Sequence, residues 1–412
     1  MEKAYLELIS SQAFRDMLAT FPPLEAETVS LDEAAGRFLA DGVISPEDLP
    51  LLSRSGMDGF AVRAADCFGA TETNPSYLDL AGDLDITAVS SDPLAPGQCV
   101  RVVTGSSLPP GADAVVMVEH TQDLGAGTIE IRKSAAPGEN IMLAGEDARA
   151  GMPLLPPGTL VRPAEAGLLA ALGVTGARVG RRPAAAILST GDELVPVASA
   201  VRPGQIRDAN APALAAMCAQ AGARPVYKGI VKDDADAIAA ALRDALAEAD
   251  AVFLSGGSSV GVRDLTIEAL GRLPDTEVLA HGLAVSPGKP TILARSGGKA
   301  VWGLPGQVAS AQVVMFVFGC PFLAHLAGDA IAFTRSRPSL EAKLSRNVAS
   351  RQGREDFIRV SLGMNGGPLP EARPVLGKSG LLKTLVRAEG LVAVPAGLEG
   401  LEAGTKVQVM LL

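Results

Sequence analysis

The 412-residue sequence has few cysteines, few histidines and no excess of positive charge. Its four cysteines, at positions 67, 99, 218 and 320, are far apart and form no CxxC pair, which argues against a disulfide framework and a thiolate zinc site. The three histidines lack the spacing of metal ligands on a helix or hairpin. The net charge of −10 argues against broad nucleic-acid binding. We therefore expect a protein of a reducing cytoplasm without a nucleic-acid partner.

The sequence also lacks an uninterrupted apolar run that would mark a membrane span. Its most apolar stretch, residues 308–327, is interrupted by Gln312, Pro321 and His325, and we interpret it as a buried helix of an α/β layer. The first residues, MEKAYLELISSQAF, carry two acids and no continuous apolar core, unlike a signal peptide. We expect no membrane association.

Glycine and proline clusters divide the chain into segments with different predicted secondary structure. Residues 1–20 and 31–40 have helical spacing, whereas between residues 48 and 144 short β-prone runs such as QCVRVVTG and GTIEIRK predict a small β domain. From residue 184 the apolar runs AAAILST, PVYKGIV and AVFLSG alternate with helical segments, which predicts a mostly parallel sheet covered by helices on both faces. After residue 334 further strand-like runs predict a C-terminal β domain.

The loop SGGSSVG at residues 255–261 lies between a predicted strand and a predicted helix. Gly256, Gly257 and Gly261 permit turn conformations in which several amide N–H groups converge on one anion near a helix N-terminus. The same letters match GxSxG, which in hydrolases presents a nucleophilic serine, here Ser259. A glycine-rich connection without a ligand is a third interpretation. The segment STGDEL at residues 189–194 follows the first strand of the same sheet, where ligands of parallel sheets bind.

Seven segments of the chain stand in one order. They are SGMDGFAV (55–62), TGSSLPPGADAVVMVEH (104–120), GENIMLAGEDARAG (138–151), STGDEL (189–194), SGGSSVG (255–261), SPGKP (286–290) and GLPG (303–306). This order resembles the signature of the molybdopterin molybdenumtransferase family, which includes the E domain of gephyrin. RQGREDFIRV and SGLLKTLVRAEGLVAVPAG resemble the last domain of that family, so the resemblance extends from about residue 5 to the C-terminus.

The resemblance implies a cytoplasmic enzyme of the last step of molybdenum cofactor biosynthesis. Such an enzyme binds adenylylated molybdopterin, supplied by an upstream molybdopterin adenylyltransferase, and receives molybdate. With Mg²⁺ it cleaves the adenylate and leaves molybdenum on the dithiolene. The family fold is an elongated homodimer in which each active site lies between the α/β domain of one subunit and the small β domain of the other.

We therefore predict a multidomain α/β plus β fold. The predicted domains are an N-terminal elongated mixed domain from residues 1–48 and 145–182, an inserted small β domain at 49–144, a molybdopterin-binding three-layer α/β domain at 183–333, and a β-barrel-like domain at 334–412.

The resemblance also implies roles for individual residues. It assigns catalytic roles to Asp58, Asp147, Glu193 and Asp264, of which Glu193 and Asp264 would hold the metal. Substrate binding would use Thr104, Thr190, Ser255, Gly256, Gly257, Ser259, Gly261, Lys289, Pro305 and Gly306. Each has a plainer alternative: a turn cap for Asp58 or Asp147, a first-turn acid for Asp264, and a solvated loop residue for Glu193 or Lys289. Asp208 and Asn210 resemble the nucleotide side of the site, although Asn210 could instead be a helix N-cap.

Three positions depart from the family pattern. Ser258 replaces an apolar residue, Ser286 replaces a lysine found in many members, and GLPGQV at residues 303–308 replaces the usual GLPGNP. A lost lysine removes a cation from a site for a multiply charged ligand. These departures leave open a non-catalytic molybdopterin-binding or scaffold paralogue. A serine hydrolase that pairs Ser259 with His281 or His325 is a further alternative.

Overall fold

The computed structural model describes residues 8–256, 260–364 and 366–412, and the side chains of residues 260–264 lie outside that description. The chain divides into two compact units. The first combines the N-terminal segment up to Ala40 with Gly158–Arg162 and Ala177–Leu412, and the second combines Asp41–Pro157 with Pro163–Gly176. This division into two units does not test the four domains predicted from the sequence, and their boundaries stay a prediction.

The N-terminal segment of the first unit is only partly helical. It contains helix α1 (Ser11–Ala19), strand β1 (Ala26–Ser30) and the short helix α2 (Leu31–Ala34). The side chain of Ser10 caps α1 by accepting a hydrogen bond from the Ala13 amide. Helix α2 is one turn long, shorter than the helical spacing of residues 31–40 predicts, because the chain becomes extended at Ala35 and left-handed at Gly36, whose φ is +76°.

The second unit consists mainly of strands, as the sequence predicts. These are β2 (Val43–Ile44), β3 (Arg54–Ser55), β4 (Gly59–Val62), β5 (Ser76–Leu84), β6 (Gln98–Val102), β7 (Ala114–Met117), β8 (Thr121–Asp123), β9 (Thr128–Ile131), β10 (Ile141–Met142) and β11 (Pro153–Leu155), followed by helix α3 (Pro163–Ala171). Six of them form one sheet in the order β7-β4-β6-β5-β9-β8. Its core contains the buried side chains of Phe60, Val116 and Ile129. Helix α3 is followed by Gly173, which has a φ of +71°.

The α/β part of the first unit follows strand β12 (Gly176–Gly180). Its elements are β13 (Ala184–Thr190), β14 (Leu194–Val195), β15 (Ile206–Arg207), α4 (Asn210–Gln220), β16 (Arg224–Val231), α5 (Ala235–Glu248), β17 (Ala251–Gly256), α6 (Val260–Gly271), β18 (Thr276–His281), β19 (Val285–Ser286), β20 (Ile292–Ser296), β21 (Lys299–Pro305), α7 (Val308–Val314) and α8 (Cys320–Leu326).

Six of these strands form the central sheet in the order β16-β13-β17-β21-β20-β18. The first four run parallel, and β20 and β18 are antiparallel to their neighbours. Alternate side chains reach opposite faces: Phe253 packs in a core with α1, α4, α7 and α8, whereas Val252 packs with α5 and α6. The predicted three-layer arrangement with a mostly parallel sheet is confirmed.

The apolar stretch near residue 308 forms a helix in which a π-helical turn, Met315–Gly319, joins α7 to α8. By length and composition, Val308–Leu326 is the one helix in the described part of the chain that could cross a membrane, with a mean hydropathy of 1.6. However, 61% of it is buried within the protein. Val314, Phe318 and Phe322 belong to the core around Trp302, which agrees with a buried helix of an α/β layer.

The C-terminal part is a closed barrel. It contains β22 (Ser339–Leu344), β23 (Val348–Ala349), β24 (Glu355–Gly363), β25 (Glu371–Pro374), the short helix α9 (Lys383–Val386), β26 (Gly390–Val394), β27 (Gly400–Leu401) and β28 (Lys406–Leu411). Strands β24, β25, β22, β28 and β26 pair in that order, and β26 pairs again with β24, so the ring has no free edge. Val360, Val392 and Val409 fill its interior. The predicted barrel-like C-terminal fold is confirmed.

Candidate active site

The ends of three adjacent parallel strands bring three predicted substrate-binding residues into register. Thr190 at the end of β13 pairs with Gly256 at the end of β17, and Gly256 pairs with Pro305 at the end of β21. The segments STGDEL, SGGSSVG and GLPG therefore leave the sheet at one edge, side by side. This is the carboxyl edge at which parallel sheets bind ligands.

Gly256 is required at this edge by close packing. A Cβ atom at this position would lie 2.5 Å from the Thr190 carbonyl oxygen and would overlap the Thr190 methyl group. Real side chains do not approach a backbone oxygen this closely, so only glycine allows β17 to pair with β13 here. Gly256, the first glycine of SGGSSVG, is therefore required for strand pairing, in addition to its predicted role in binding.

A cavity of about 240 Å³ lies at the same edge. Seven of its lining residues are singled out by the sequence as site residues: Thr190, Glu193, Ser255, Gly256 and Gly306, and, on the suggested nucleotide side, Asp208 and Asn210. Ser255 and Thr190 are buried, whereas Glu193 is exposed. The structure thus brings together residues that are more than 100 positions apart in the sequence.

The cavity has further lining residues that the sequence did not single out as site residues, including Arg207, Gln307 and Gly380. Gly380 belongs to the C-terminal part, and it is held near α7 by a 3.0 Å hydrogen bond from the Ala309 amide to the Ser379 carbonyl oxygen. In the sequence, the segment SGLL contributes only to the family resemblance. A single glycine in a loop that is distant in the sequence does not indicate that it will line this cavity.

Acidic side chains surround the STGDEL segment. The Thr190 hydroxyl donates a hydrogen bond of 2.6 Å to Asp233, and the Asp233 amide lies 3.3 Å from a carboxylate oxygen of Asp192. The Glu193 carboxylate packs against Gly191, where a Cβ atom would lie 2.7 Å from its oxygen. The sequence motifs do not identify Asp233 as a site residue. The available signal was its position just beyond the end of β16, at the same edge of the sheet.

The start of helix α4 forms another wall of the cavity. A carboxylate oxygen of Asp208 accepts hydrogen bonds of 3.1 Å from the amides of Asn210 and Ala211, so Asp208 caps the helix. The suggested alternative that Asn210 caps it is wrong, because Asn210 is the first helical residue. Its side-chain amide instead donates a 3.0 Å hydrogen bond to the Gly306 carbonyl oxygen. This bond ties α4 to the GLPG segment.

Lys289 lies in the turn that precedes β20. The Thr291 hydroxyl donates a 2.7 Å hydrogen bond to the Gly288 carbonyl oxygen, and the Lys289 carbonyl accepts a 2.9 Å bond from the Leu283 amide. Because Ile292 pairs with Gly303, this turn lies at the same edge of the sheet as GLPG. The Lys289 side chain is exposed and does not belong to the cavity lining.

Several predicted residues cannot be placed as side chains. Gly257, Ser258 and Ser259 lie outside the described residues, and for Gly261 and Asp264 only the helix that contains them, α6, is described. For the hydrolase alternative, His325 has a structural partner, because its Nε2 lies 2.7 Å from the Phe21 carbonyl oxygen and its ring packs on Phe333. His281 also has an interaction partner within the fold.

The second unit brings Asp58 and Thr104 together. One carboxylate oxygen of Asp58 accepts hydrogen bonds from the Thr104 amide (2.6 Å) and the Thr104 hydroxyl (2.8 Å). These bonds, the amide bond more than the hydroxyl bond, lower the pKa of Asp58. Asp147 lies on another segment of this unit, where its amide donates to the Leu49 carbonyl oxygen and its side chain is exposed. Its predicted place beside Asp58 stays a prediction.

A resident metal would have to fit these donors. In the described part of the chain, no group of three His, Cys, Asp or Glu side chains could hold a metal ion by itself. Mg²⁺, however, commonly uses one or two carboxylates together with phosphate oxygens of the ligand. The exposed Glu193 carboxylate at the cavity meets that requirement, so the site fits Mg²⁺ brought with a phosphorylated ligand.

Comparison with protein-family models gives three consecutive matches. Residues 9–173 match the MoeA N-terminal region (domain I and II), residues 186–325 match a "probable molybdopterin binding domain", and residues 341–412 match the MoeA C-terminal region (domain IV). These matches follow the same order along the chain as the described β, α/β and barrel parts.

Relatives of the whole chain agree with these matches. The molybdopterin molybdenumtransferase of Bacillus subtilis is 34% identical over 392 residues, covering 94% of this chain and 90% of the relative. Molybdopterin molybdenumtransferase 2 of Mycobacterium tuberculosis is 36% identical over 386 residues, covering 93% and 94%. A crystal structure of the molybdopterin biosynthesis MoeA protein from Pyrococcus horikoshii has a TM-score of 0.83 and 28% identity, covering 98% of this chain and 100% of that chain. The chain therefore belongs to the molybdopterin molybdenumtransferase (MoeA) family, a family of transferases of molybdenum cofactor biosynthesis.

Proposed function

We propose that this protein inserts molybdenum from molybdate into adenylylated molybdopterin and cleaves the adenylate in a Mg²⁺-dependent reaction, the final step of molybdenum cofactor biosynthesis. The observation that carries the proposal is the register of Thr190, Gly256 and Pro305, which gathers three family segments around one cavity. Family membership supplies the reaction class. The described geometry supplies a site of suitable position and chemistry.

Phosphate binding is assigned to the glycine end of the cavity. Helix α6 begins just after β17, and a helix N-terminus favours anions because its free amide groups and dipole are positive there. Lys289 lies at the same sheet edge and offers a point charge to phosphate or molybdate. Gly257, Ser259 and Gly261 complete this proposed phosphate site.

Metal binding is assigned to Glu193 and Asp264. Bound Mg²⁺ would offset the negative charge that develops on phosphate oxygens when the adenylate bond breaks. The hydrogen bond between Thr190 and Asp233 would hold the STGDEL segment in place. The Glu193 carboxylate would provide an oxygen ligand for the metal at the cavity. Loss of either acidic group should lower turnover more than ligand binding, because the charge it helps to balance arises in the transition state.

The active unit is proposed to be a homodimer in the cytoplasm. In this arrangement Asp58, Thr104 and Asp147 of the partner subunit complete each site, as the family resemblance implies. The hydrogen bonds from Thr104 keep Asp58 ionised, which suits a role close to a cation or to a donor group of the substrate. An upstream molybdopterin adenylyltransferase would deliver the adenylylated substrate.

A non-catalytic molybdopterin-binding paralogue is a second candidate, favoured by one observation. Ser286 replaces a lysine at the turn next to the site, so the loop has one cation fewer for a multiply charged ligand. Such a protein would bind the pterin but would not turn it over.

One assay separates the two candidates. Purified protein is mixed with adenylylated molybdopterin, molybdate and Mg²⁺, and released AMP and active cofactor are measured. We expect both products, and we expect Glu193→Gln and Asp264→Asn to lower turnover far more than pterin binding. The matched control is Glu277→Gln, because Glu277 is also an exposed acid but lies on the edge strand β18. Pterin binding without AMP release by the unmodified protein would favour the paralogue.

A further inference from the structure

Arg359 is a buried arginine on strand β24 of the C-terminal barrel. Only 8% of the residue is exposed, and within the described part of the chain no carboxylate pairs with its guanidinium group. Burial lowers the pKa of Arg359. A buried charge without a counter-charge is costly, and an apolar side chain of similar length would avoid that cost. The N–H donors of the guanidinium group distinguish arginine from such a side chain.

These donors bind the two ends of one loop, residues 377–384, which we call the barrel loop. Nη2 of Arg359 donates a 2.8 Å hydrogen bond to the Gly377 carbonyl oxygen, and Nη1 donates to the Thr384 hydroxyl oxygen. That hydroxyl in turn donates a 2.6 Å bond to the Leu381 carbonyl oxygen. The ends of the loop are also in close contact, because a Cβ atom at Gly377 would lie 2.6 Å from the Thr384 methyl group. The rigid fork of one guanidinium group thus closes the loop.

The middle of the barrel loop reaches the candidate active site. The Ser379 carbonyl oxygen accepts a 3.0 Å hydrogen bond from the Ala309 amide in α7, and Gly380 lines the cavity at the sheet edge. The guanidinium group itself is not part of the cavity lining. The loop is therefore held at its ends by the barrel strand and in its middle by α7, and it contributes to the wall between them.

We infer that Arg359 is a positioning residue, which holds the barrel loop in the conformation that completes the cavity wall at Gly380 during the reaction. This inference rests on the proposed function and deepens it, because it assigns a role in turnover to a residue outside the cavity. A small displacement of the wall misplaces the ligand relative to the reacting groups. Loss of the two hydrogen bonds should therefore reduce turnover more than ground-state binding.

Hydrogen exchange tests whether Arg359 holds the loop. Arg359→Met keeps the length of the side chain but removes its donors and its charge. The amides of Leu381 and Thr384 are hydrogen-bonded within the loop, at 3.0 Å and 3.1 Å, so their exchange reports its order. In the full-length variant we expect peptides of the barrel loop to exchange about tenfold faster, the value of one hydrogen bond to a charged group. Peptides from β22 and β28 should exchange as in the unmodified protein.

Steady-state AMP release from adenylylated molybdopterin tests the role in turnover. For Arg359→Met we expect kcat to fall by about tenfold or more and KM to change by less than about threefold. Arg359→Lys keeps the charge and can make one of the two bonds, so it should recover part of the loop protection and part of kcat.

Two further variants control for folding and for the loss of any barrel arginine. Thr384→Val removes the hydroxyl acceptor but keeps the methyl contact, and it should show the same defects even if Arg359→Met does not fold. The matched control is Arg346→Met, because Arg346 donates a 3.1 Å hydrogen bond to the carbonyl oxygen of Pro374, which lies outside the barrel loop. This control should leave loop exchange and kcat unchanged.

Unchanged loop exchange in Arg359→Met, faster exchange without loss of kcat, or faster exchange throughout the barrel would each overturn the inference. A rise in KM alone, or an Arg359→Lys variant no better than Arg359→Met, would do the same. If the unmodified protein releases no AMP, the proposed function is refuted and the role in turnover is refuted with it. If the unmodified protein is active and Arg359→Met matches Arg346→Met, only the inference is refuted.

Discussion

The closest packing at the candidate site can be tested by adding a single methyl group. In Gly256→Ala the new Cβ atom would lie 2.5 Å from the Thr190 carbonyl oxygen and 3.1 Å from the Thr190 carbonyl carbon. The Thr190 methyl group would also overlap the new Cβ atom, but the carbonyl atoms belong to the backbone of β13, so rotation of the threonine side chain alone cannot relieve the clash. Relief requires a shift of β17 relative to β13 at the last residue pair of their ladder.

The cost of this shift can be estimated from its type. Overpacking of a well-packed region by extra carbon atoms commonly costs about 1–3 kcal/mol. For a domain of this size each kcal/mol corresponds to about 2–4 °C in Tm, so we expect a fall of roughly 2–12 °C. Turnover should fall as well, because Thr190 and Gly256 both line the cavity.

The assay is thermal unfolding followed by circular dichroism, together with AMP release under saturating ligand. The matched control is Gly271→Ala, since Gly271 ends helix α6 and a Cβ atom there would meet nothing within 4 Å. Alanine is the better helix former, so this control should keep or slightly raise Tm. If Gly256→Ala behaves like Gly271→Ala in both measurements, the described register at the site is wrong.

Three further predictions concern single groups. Asp208→Ala and Asp234→Ala should each lower the free energy of unfolding by about 1 kcal/mol, because each carboxylate caps a helix. Only Asp208→Ala should also weaken ligand binding in calorimetry, since Asp208 lines the cavity. Equal binding by both variants would contradict this. The pKa of Asp58 is lowered by the Thr104 amide and then by its hydroxyl, so the stability from this contact is present above the ordinary carboxyl pKa and is lost as pH falls through the lowered pKa. In an NMR titration, Thr104→Val should raise the pKa of Asp58 only part of the way, because the amide bond remains, and an unchanged pKa would refute the contact with the hydroxyl. Burial raises the pKa of Cys218 to about 12, so mass spectrometry should find the native thiol unmodified by iodoacetamide at pH 8, and rapid labelling would show that it is accessible.

Much of the architecture follows from the sequence because its signals are local. The runs AAAILST and AVFLSG are apolar throughout, and a parallel strand covered by helices on both faces needs such a run. The turns that follow them contain glycine and acidic residues. Since carboxyl ends of parallel strands share one edge, the approach of STGDEL to SGGSSVG could be expected from the chain alone.

The details of the site could not be predicted, because they depend on pairs that are distant in the sequence. The hydrogen bond between Thr190 and Asp233 spans 43 positions, and that between Asn210 and Gly306 spans 96. No local pattern identifies such partners. Asn210 illustrates the difficulty. Its sequence context suits a helix cap, but the carboxylate of Asp208 caps α4, and Asn210 is instead the first helical residue and lines the cavity.

The sequence overestimates the length of helix α2 for a related reason. Residues 31–40 have helical spacing, but Phe38 and Leu39 instead make bridges to Leu160 and Val179. Pairing with distant segments thus overrides local helical preference. Spacing alone does not show when an extended partner is present elsewhere in the chain.

The central claim is that the cavity at the ends of β13, β17 and β21 carries out molybdate-dependent cleavage of the adenylate. The most direct measurement is AMP release from adenylylated molybdopterin by the purified protein, with and without molybdate and with and without Mg²⁺, for the unmodified chain and for Glu193→Gln. The account predicts AMP release that requires molybdate and Mg²⁺ and that is strongly reduced in Glu193→Gln while pterin binding persists. Undiminished release by Glu193→Gln, or no release by the unmodified chain that binds the substrate, would contradict it.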